Sequence, residues 1–149
     1  EVGIMIEVPS AVAVADQLAR EVDFFSIGTN DLTQYVMAAD RGNARVAELA
    51  NALQPAVLRM VREAADAAHA AGIWIGMCGE LAGNALAAPV LVGLGLDELS
   101  MSAPSIPAVK AAVRRFPLAD AQRMATAALA LDSAEAVAHF LQQTAAGER

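Results

Sequence analysis

Short apolar runs bounded by turn residues recur along the chain, and stretches whose apolar positions follow helical spacing fill the gaps between them. That alternation marks consecutive β-α units. The first run, Gly3 to Val8, precedes Pro9-Ser10 and an amphipathic stretch from Ala11 to about Val22, for which Ser10 is the expected N-cap. The second, Phe24 to Gly28, leads through Thr29-Asn30-Asp31 into a helix ending near Ala39. After the polar turn Asp40-Arg41-Gly42-Asn43, the pattern predicts a short helix over Ala44 to Leu53, then a longer one that Pro55 opens and Gly72 ends. The third run, Ile73 to Cys78, is followed by a loop from Gly79 to Gly83 and a helix from Asn84 to Leu94. The fourth, Glu98 to Ser102, precedes a helix from Ser105 to Arg115. Beyond Pro117 the pattern is purely helical, over Leu118 to Leu131 and Ser133 to Gln143, with a polar tail.

Strands that are nearly all apolar are expected to be covered on both faces, as in a parallel sheet wrapped by helices. A barrel is favoured over a doubly wound sheet, because polar residues follow every strand rather than gathering at one switch point. The expected fold class is therefore α/β: about four β-α units, the second half of a TIM-type (β/α)8 barrel, followed by C-terminal helices. Residues 1–116 form the half-barrel and 117–149 the helices and tail packed on it. The chain opens on Glu1-Val2-Gly3, directly before a buried strand, and reads as a piece of a longer polypeptide with the other half upstream. Alone it would leave two strand edges and a barrel interior uncovered, so self-association is expected.

Composition narrows the partners. With 56% hydrophobic residues the chain can bury a sizeable core, and disorder is not the expectation. Its net charge of -7, from 10 Lys and Arg against 17 Asp and Glu, includes no basic stripe for nucleic acid or an anionic membrane. A small anion remains admissible, because local dipoles, an arginine and a metal outweigh the mean charge inside a cleft. The longest apolar run, Ala85 to Leu96, falls short of the roughly 18 residues of a membrane span. The lone Cys78 builds no disulfide framework, so a reducing cytoplasm is the expected compartment.

The candidate chemistry lies at the strand ends. Glu7 interrupts an apolar run where an ionised carboxylate is costly unless paired with a cation or hydrogen-bonded, and a salt bridge to a neighbouring arginine is the plain alternative. Asp31 heads Asp31-Leu32-Thr33-Gln34, which has capping-box spacing with Asp in place of Ser or Thr, so capping alone could account for it. The same segment offers Gly28 for close backbone approach and aims the N–H groups of Asn30 and Asp31 at an anion above the sheet. Two hard carboxylates on adjacent strands suit Mg²⁺, which takes one or two carboxylates plus substrate oxygens. Arg41 reads either as a solvated loop charge or as a guanidinium clamping a phosphate. Cys78 reads as an inert buried thiol or as the acid that protonates a carbanion-like intermediate. His69 and His139 lie far from the strand ends and are expected to be structural or exposed.

Several long motifs in fixed order carry a resemblance. Gly3-Ile4-Met5-Ile6-Glu7-Val8-Pro9, the run Phe24 to Tyr35, Asp40-Arg41-Gly42-Asn43, Gly76 to Gly83 and Gly93 to Ser102 together resemble enzyme I of the bacterial sugar phosphotransferase system, over residues 2 to about 125. The resemblance implies half of a phosphoenolpyruvate-binding barrel. It implies Mg²⁺ on Glu7 and Asp31, phosphate and substrate contacts from Asn30, Asp31 and Arg41, and Cys78 as the acid that converts the enolate to pyruvate. It further implies phosphoryl transfer to a histidine on an N-terminal domain of the full-length protein, onward transfer to a small phosphocarrier protein, and a homodimer. The chain by itself is then expected to be inactive. Pyruvate phosphate dikinase and phosphoenolpyruvate synthase share the Gly28 to Thr33 type of motif. Two further readings remain: a Mg²⁺-dependent enolate lyase or aldolase, and a non-catalytic dimerisation module.

Overall fold

The computed structural model describes residues 1–147, so the end of the expected polar tail, Glu148 and Arg149, lies outside the described residues. Four parallel strands, β1 (Gly3–Ile6), β2 (Phe24–Gly28), β3 (Trp74–Cys78) and β4 (Glu98–Leu99), pair in the order β1-β2-β3-β4. The order never reverses, so the sheet has no switch point, and right-handed crossovers then carry the helices to one face. This is the arrangement of consecutive units in a β/α barrel and agrees with the expected second half of one.

The strands have one helix-covered face and one open face, the uncovered barrel interior expected of a half-barrel on its own. Ile4, Phe25 and Ile75 share one register line, and Ile6, Ile27, Met77 and Leu99 the next. Ile6, Phe25, Ile27, Ile75 and Met77 are buried in the main core with residues of the helices. The opposite face carries Gly3, Phe24 and Trp74 in one layer and Met5, Ser26, Gly76 and Glu98 in the next. Phe24 and Trp74 stack there with ring centroids 4.3 Å apart, while Met5 is 43% exposed. Alternate residues stacked in layers are the inward faces of barrel strands. The apolar composition of these strands therefore reflects two different environments.

The first helical region is broken in two, α1 (Pro9–Ala13) and α2 (Ala15–Leu18), with Val14 outside helical geometry. Ser10 is not its N-cap: Pro9 opens the helix with its fixed φ, Val8 precedes it, and no side chain caps it. Strand β2 leads without a loop into α3 (Thr29–Met37), whose cap position is Gly28. The long helix α4 (Pro55–Ala71) buries Val57, Leu58, Val61, Ala64, Ala65 and Ala68, the stripe that helical spacing gives. Gly72 ends it in the left-handed region at φ 78°. Near that end His69 Nε2 lies 2.9 Å from Asp97 Oδ2, which also accepts from Ile75 N–H at 2.9 Å. His69 thus ties α4 to the sheet, and His139 is exposed.

The helix expected over Ala44 to Leu53 does not form. Asn43 Oδ1 accepts from Arg45 N–H at 3.1 Å and Asn51 Oδ1 from Leu53 N–H at 2.9 Å. These local bonds compete with the helical ladder and leave one 3-10 turn, Ala47–Leu49. Asn84 acts likewise on Leu86 and Ala87, and Pro89 fits only a first turn, so α5 spans just Ala88–Gly93. Then follow α6 (Ile106–Val113), α7 (Leu118–Leu129) and α8 (Ala134–Ala146), the last capped by Ser133 Oγ accepting from Ala136 N–H at 3.1 Å. Helix α7 lies directly against α5, with Ala121, Ala125 and Ala128 buried. Among the described residues no helix is long and apolar enough to cross a membrane.

Candidate functional site

The register brings the strand-end residues together. Ile6 pairs with Ile27 and Gly28 with Cys78, so the next layer of the open face is Glu7, Gly28 and Cys78. Glu7 reaches across the middle strand: a Cβ on Gly28 would sit 2.7 Å from Glu7 Oε2 and 3.0 Å from its Cβ. Glycine at 28 is the clearance that lets this carboxylate lie over β2. Glu7 takes part in no ion pair among the described residues, so the salt bridge offered as its plain alternative is not made.

Asp31 is the third residue of α3 and not its cap; no side chain caps this helix. The capping-box reading is therefore corrected. Thr29, at the first helical position, instead donates its hydroxyl to Cys78 O at 3.0 Å and fixes the helix start against β3. The first turn of α3 leaves the N–H groups of Thr29, Asn30 and Asp31 without intrahelical partners, a positive pole above the sheet.

Arg41 joins this group from the following turn. Its Nη2 lies 3.9 Å from Asp31 Oδ1, both side chains about half exposed, and its backbone N–H donates to Gln34 Oε1 at 3.2 Å. An exposed pair at that distance is worth at most about 1 kcal/mol, so the guanidinium is readily diverted to a ligand anion.

Two cavities meet at Asn30. One, of about 610 Å³, is lined by Asn30, Thr33, Arg41, Asn51 and Glu80 among others. Thr33 is buried there, and its Oγ1 has no hydrogen-bond partner among the described residues. The other, of about 510 Å³, lies over the strand ends and is lined by Asn30, Cys78, Gly79, Glu80, Ser102 and Ser105. Cys78 is half-buried, its thiol donating to Ile27 O at 3.5 Å and its Sγ accepting from Ser26 Oγ–H at 3.8 Å.

All five residues singled out from sequence thus gather at one end of the sheet: Glu7 and Cys78 on the open face, Asn30 and Asp31 on the helix start, Arg41 beside Asp31. Among the described residues no group of three or more His, Cys, Asp or Glu could hold a metal. An all-protein cage of the zinc kind is therefore absent from them. Glu7 and Asp31 both stand at this end of the sheet, and carboxylate oxygens are the donor type that suits a hard cation such as Mg²⁺. Sequence reasoning passed over Ser26, Thr29 and Thr33. The available signal was a hydroxyl within an otherwise apolar strand for Ser26, and hydroxyls on the buried side of a helix start for the threonines.

Residues 1–118 match the family described as PEP-utilising enzyme, PEP-binding domain. The chain is 53% identical over 144 residues, 97% of its length, to a phosphoenolpyruvate-protein phosphotransferase of Geobacillus stearothermophilus, and covers 25% of that protein. It is 56% identical over 141 residues, 95% of its length, to a phosphoenolpyruvate-protein phosphotransferase of Haloferax volcanii, again covering 25%. Similarity extends to multiphosphoryl transfer protein 2 of Escherichia coli, at 50% identity over 143 residues, 96% of the chain and 17% of that protein. The chain spans about a quarter of the length of the phosphotransferases it matches.

Proposed function

The chain belongs to the family of PEP-utilising enzymes defined by their PEP-binding domain, and from that premise we propose that it supplies the C-terminal half of the substrate barrel of a phosphoenolpyruvate-protein phosphotransferase, enzyme I of the sugar phosphotransferase system. The reaction moves the phosphoryl group of phosphoenolpyruvate to a histidine on an N-terminal domain of the full-length protein and releases pyruvate. A phosphocarrier protein then takes the phosphoryl group from that domain. The enzyme works in the cytoplasm as a homodimer, and this segment alone does not turn over. Residues 1–116 are the half-barrel and, within the described residues, 117–147 are the helices packed on it.

The observation that carries this reading is the convergence of Glu7 and Cys78 across Gly28 with the first turn of α3. Phosphoryl transfer needs positioning and charge stabilisation more than covalent help from the protein. Arg41 and Asn30, with the N–H groups that open α3, bind the phosphate; the planar guanidinium suits two parallel hydrogen bonds to it. Glu7 and Asp31 would hold Mg²⁺, which would supply stabilisation of the negative charge carried by the phosphate and developed in the enolate. Loss of the phosphoryl group leaves an enolate, and Cys78 delivers the proton that makes it pyruvate. The cavity of about 510 Å³ lined by Cys78 and Asn30 offers space for so small an acid.

In the intact transferase, Glu7→Gln is expected to weaken Mg²⁺ binding, read by calorimetric titration, by at least 10-fold to 100-fold, the range seen for loss of supporting groups around a metal. The change is isosteric, so Gly28 still clears the side chain and the fold is retained. Unaltered Mg²⁺ affinity would remove Glu7 from the metal site.

A further inference from the structure

Ser26 is the only hydroxyl in a strand, Phe24–Gly28, whose other residues are phenylalanine, isoleucine and glycine. It faces away from the core, in the layer with Met5, Gly76 and Glu98. Cys78 lies two residues beyond Gly76 on the neighbouring strand and on the same face, so it is the diagonal neighbour of Ser26. Gly76, the register partner of Ser26, has no side chain to intervene. The Ser26 hydroxyl donates to Cys78 Sγ at 3.8 Å, and the thiol donates to Ile27 O at 3.5 Å. The sulfur therefore has one acceptor for its proton and one donor that outlasts the proton.

We propose that Ser26 is a positioning residue for Cys78, holding the sulfur at the open face and stabilising the thiolate that remains once the thiol has given up its proton. The proposal rests on the reading of Cys78 as the acid that quenches the enolate. In that step the S–H bond breaks, the C2–C3 π pair of the enolate forms the new C3–H bond, and the enolate oxygen closes to the carbonyl of pyruvate. The S–H electron pair stays on sulfur. The Ile27 carbonyl, a hydrogen-bond acceptor for the thiol, then faces an anion with its lone pairs and opposes it. The Ser26 O–H offsets that repulsion, and a hydrogen bond to a charged partner is the strong kind. Solvent later returns the proton to sulfur.

The test uses the intact transferase in a single turnover with phosphoenolpyruvate, with phosphohistidine and pyruvate followed separately. Ser26→Ala is expected to bind phosphoenolpyruvate and form phosphohistidine as the wild type does, yet to yield pyruvate about tenfold more slowly, the scale of one lost hydrogen bond to a charged group. Ser26→Thr keeps the hydroxyl and is expected to restore most of that rate. Wild-type pyruvate formation in Ser26→Ala overturns the proposal. So does a Thr variant as slow as the Ala variant, or a loss of phosphoenolpyruvate binding that matches the loss of rate, since either outcome makes Ser26 a packing residue. Cys78→Ala, run beside them, separates the two levels. If it forms pyruvate at the wild-type rate, the acid assignment itself fails; if it is slow while Ser26→Ala is not, only the role of Ser26 fails.

Discussion

Gly93→Ala is expected to destabilise the protein by about 3 kcal/mol, at the upper end of what inserting one methyl group into a packed contact costs. Gly93 closes α5 where that helix crosses α7, and a Cβ added there would run into the backbone carbonyl of Ala121, with Gln122 N only 2.9 Å away. Side chains can rotate away from an intruding methyl group, whereas a helix backbone cannot. The whole of α7 would have to shift, and with it the buried contacts of Ala121, Ala125 and Ala128. Arg62 Nη2 also donates to Gly93 O at 3.0 Å, so a displaced α5 strains the link to α4 as well. Thermal unfolding of the intact protein, followed by circular dichroism, should show a clearly lower midpoint. An unchanged midpoint would mean that the close crossing of α5 and α7 is not a real constraint on this fold.

That crossing also shows where the sequence stops being informative. Gly93 sits in an apolar run and reads as an ordinary, slightly unfavourable helix residue; only the position of α7, distant in the chain, makes it obligatory. Elements whose pattern is long and unbroken, such as α4 with its buried stripe and left-handed Gly72, can be read directly. The segments misread as helix are those where a short polar side chain captures a neighbouring backbone N–H, as Asn43, Asn51 and Asn84 do. Local competition of this kind is decided by geometry that apolar periodicity does not record. An open inner face follows from half a barrel standing alone, but which strand residues line it is hidden from the pattern: a barrel interior and a helix-covered face are both apolar, so Met5 and Ile6 look alike until their exposure is seen.

The site divides in the same way. Glu7, Asn30, Asp31 and Cys78 stand out in the sequence because each lies at or just beyond the end of a strand, where a β/α barrel gathers its polar residues. Their mutual placement depends on register, which sets Glu7, Gly28 and Cys78 in one layer, and no local pattern specifies it. The residues that hold this layer in place, Gly28 by having no side chain, Thr29 by bonding the Cys78 carbonyl and Ser26 by bonding the thiol, are small and chemically ordinary. Their roles exist only in the contacts they make across the sheet.

The largest functional effect is expected from Asp31→Asn, which should lower phosphoenolpyruvate-dependent phosphorylation in the intact transferase by about 100-fold or more at fixed Mg²⁺. The estimate takes as its floor the 10-fold to 100-fold that loss of a group merely supporting a metal ligand costs. Asparagine has the shape of aspartate, and Asp31 makes no capping bond, so α3 keeps its start and the fold is not at issue. What the substitution removes is one of the two negative charges proposed to hold the cation and the partner that Arg41 has at 3.9 Å. These losses act in opposite directions on the two ligands. Mg²⁺ binding weakens, while the guanidinium of Arg41, no longer drawn toward a carboxylate, is freer to meet a phosphate. The variant should therefore bind Mg²⁺ more weakly in the absence of substrate, and raising Mg²⁺ should recover part of the rate. A protein damaged in folding would lose metal and phosphate binding together, and added Mg²⁺ would not rescue it. A normal rate with normal Mg²⁺ dependence would show that Asp31 is no metal ligand and that the first turn of α3 serves the phosphate alone.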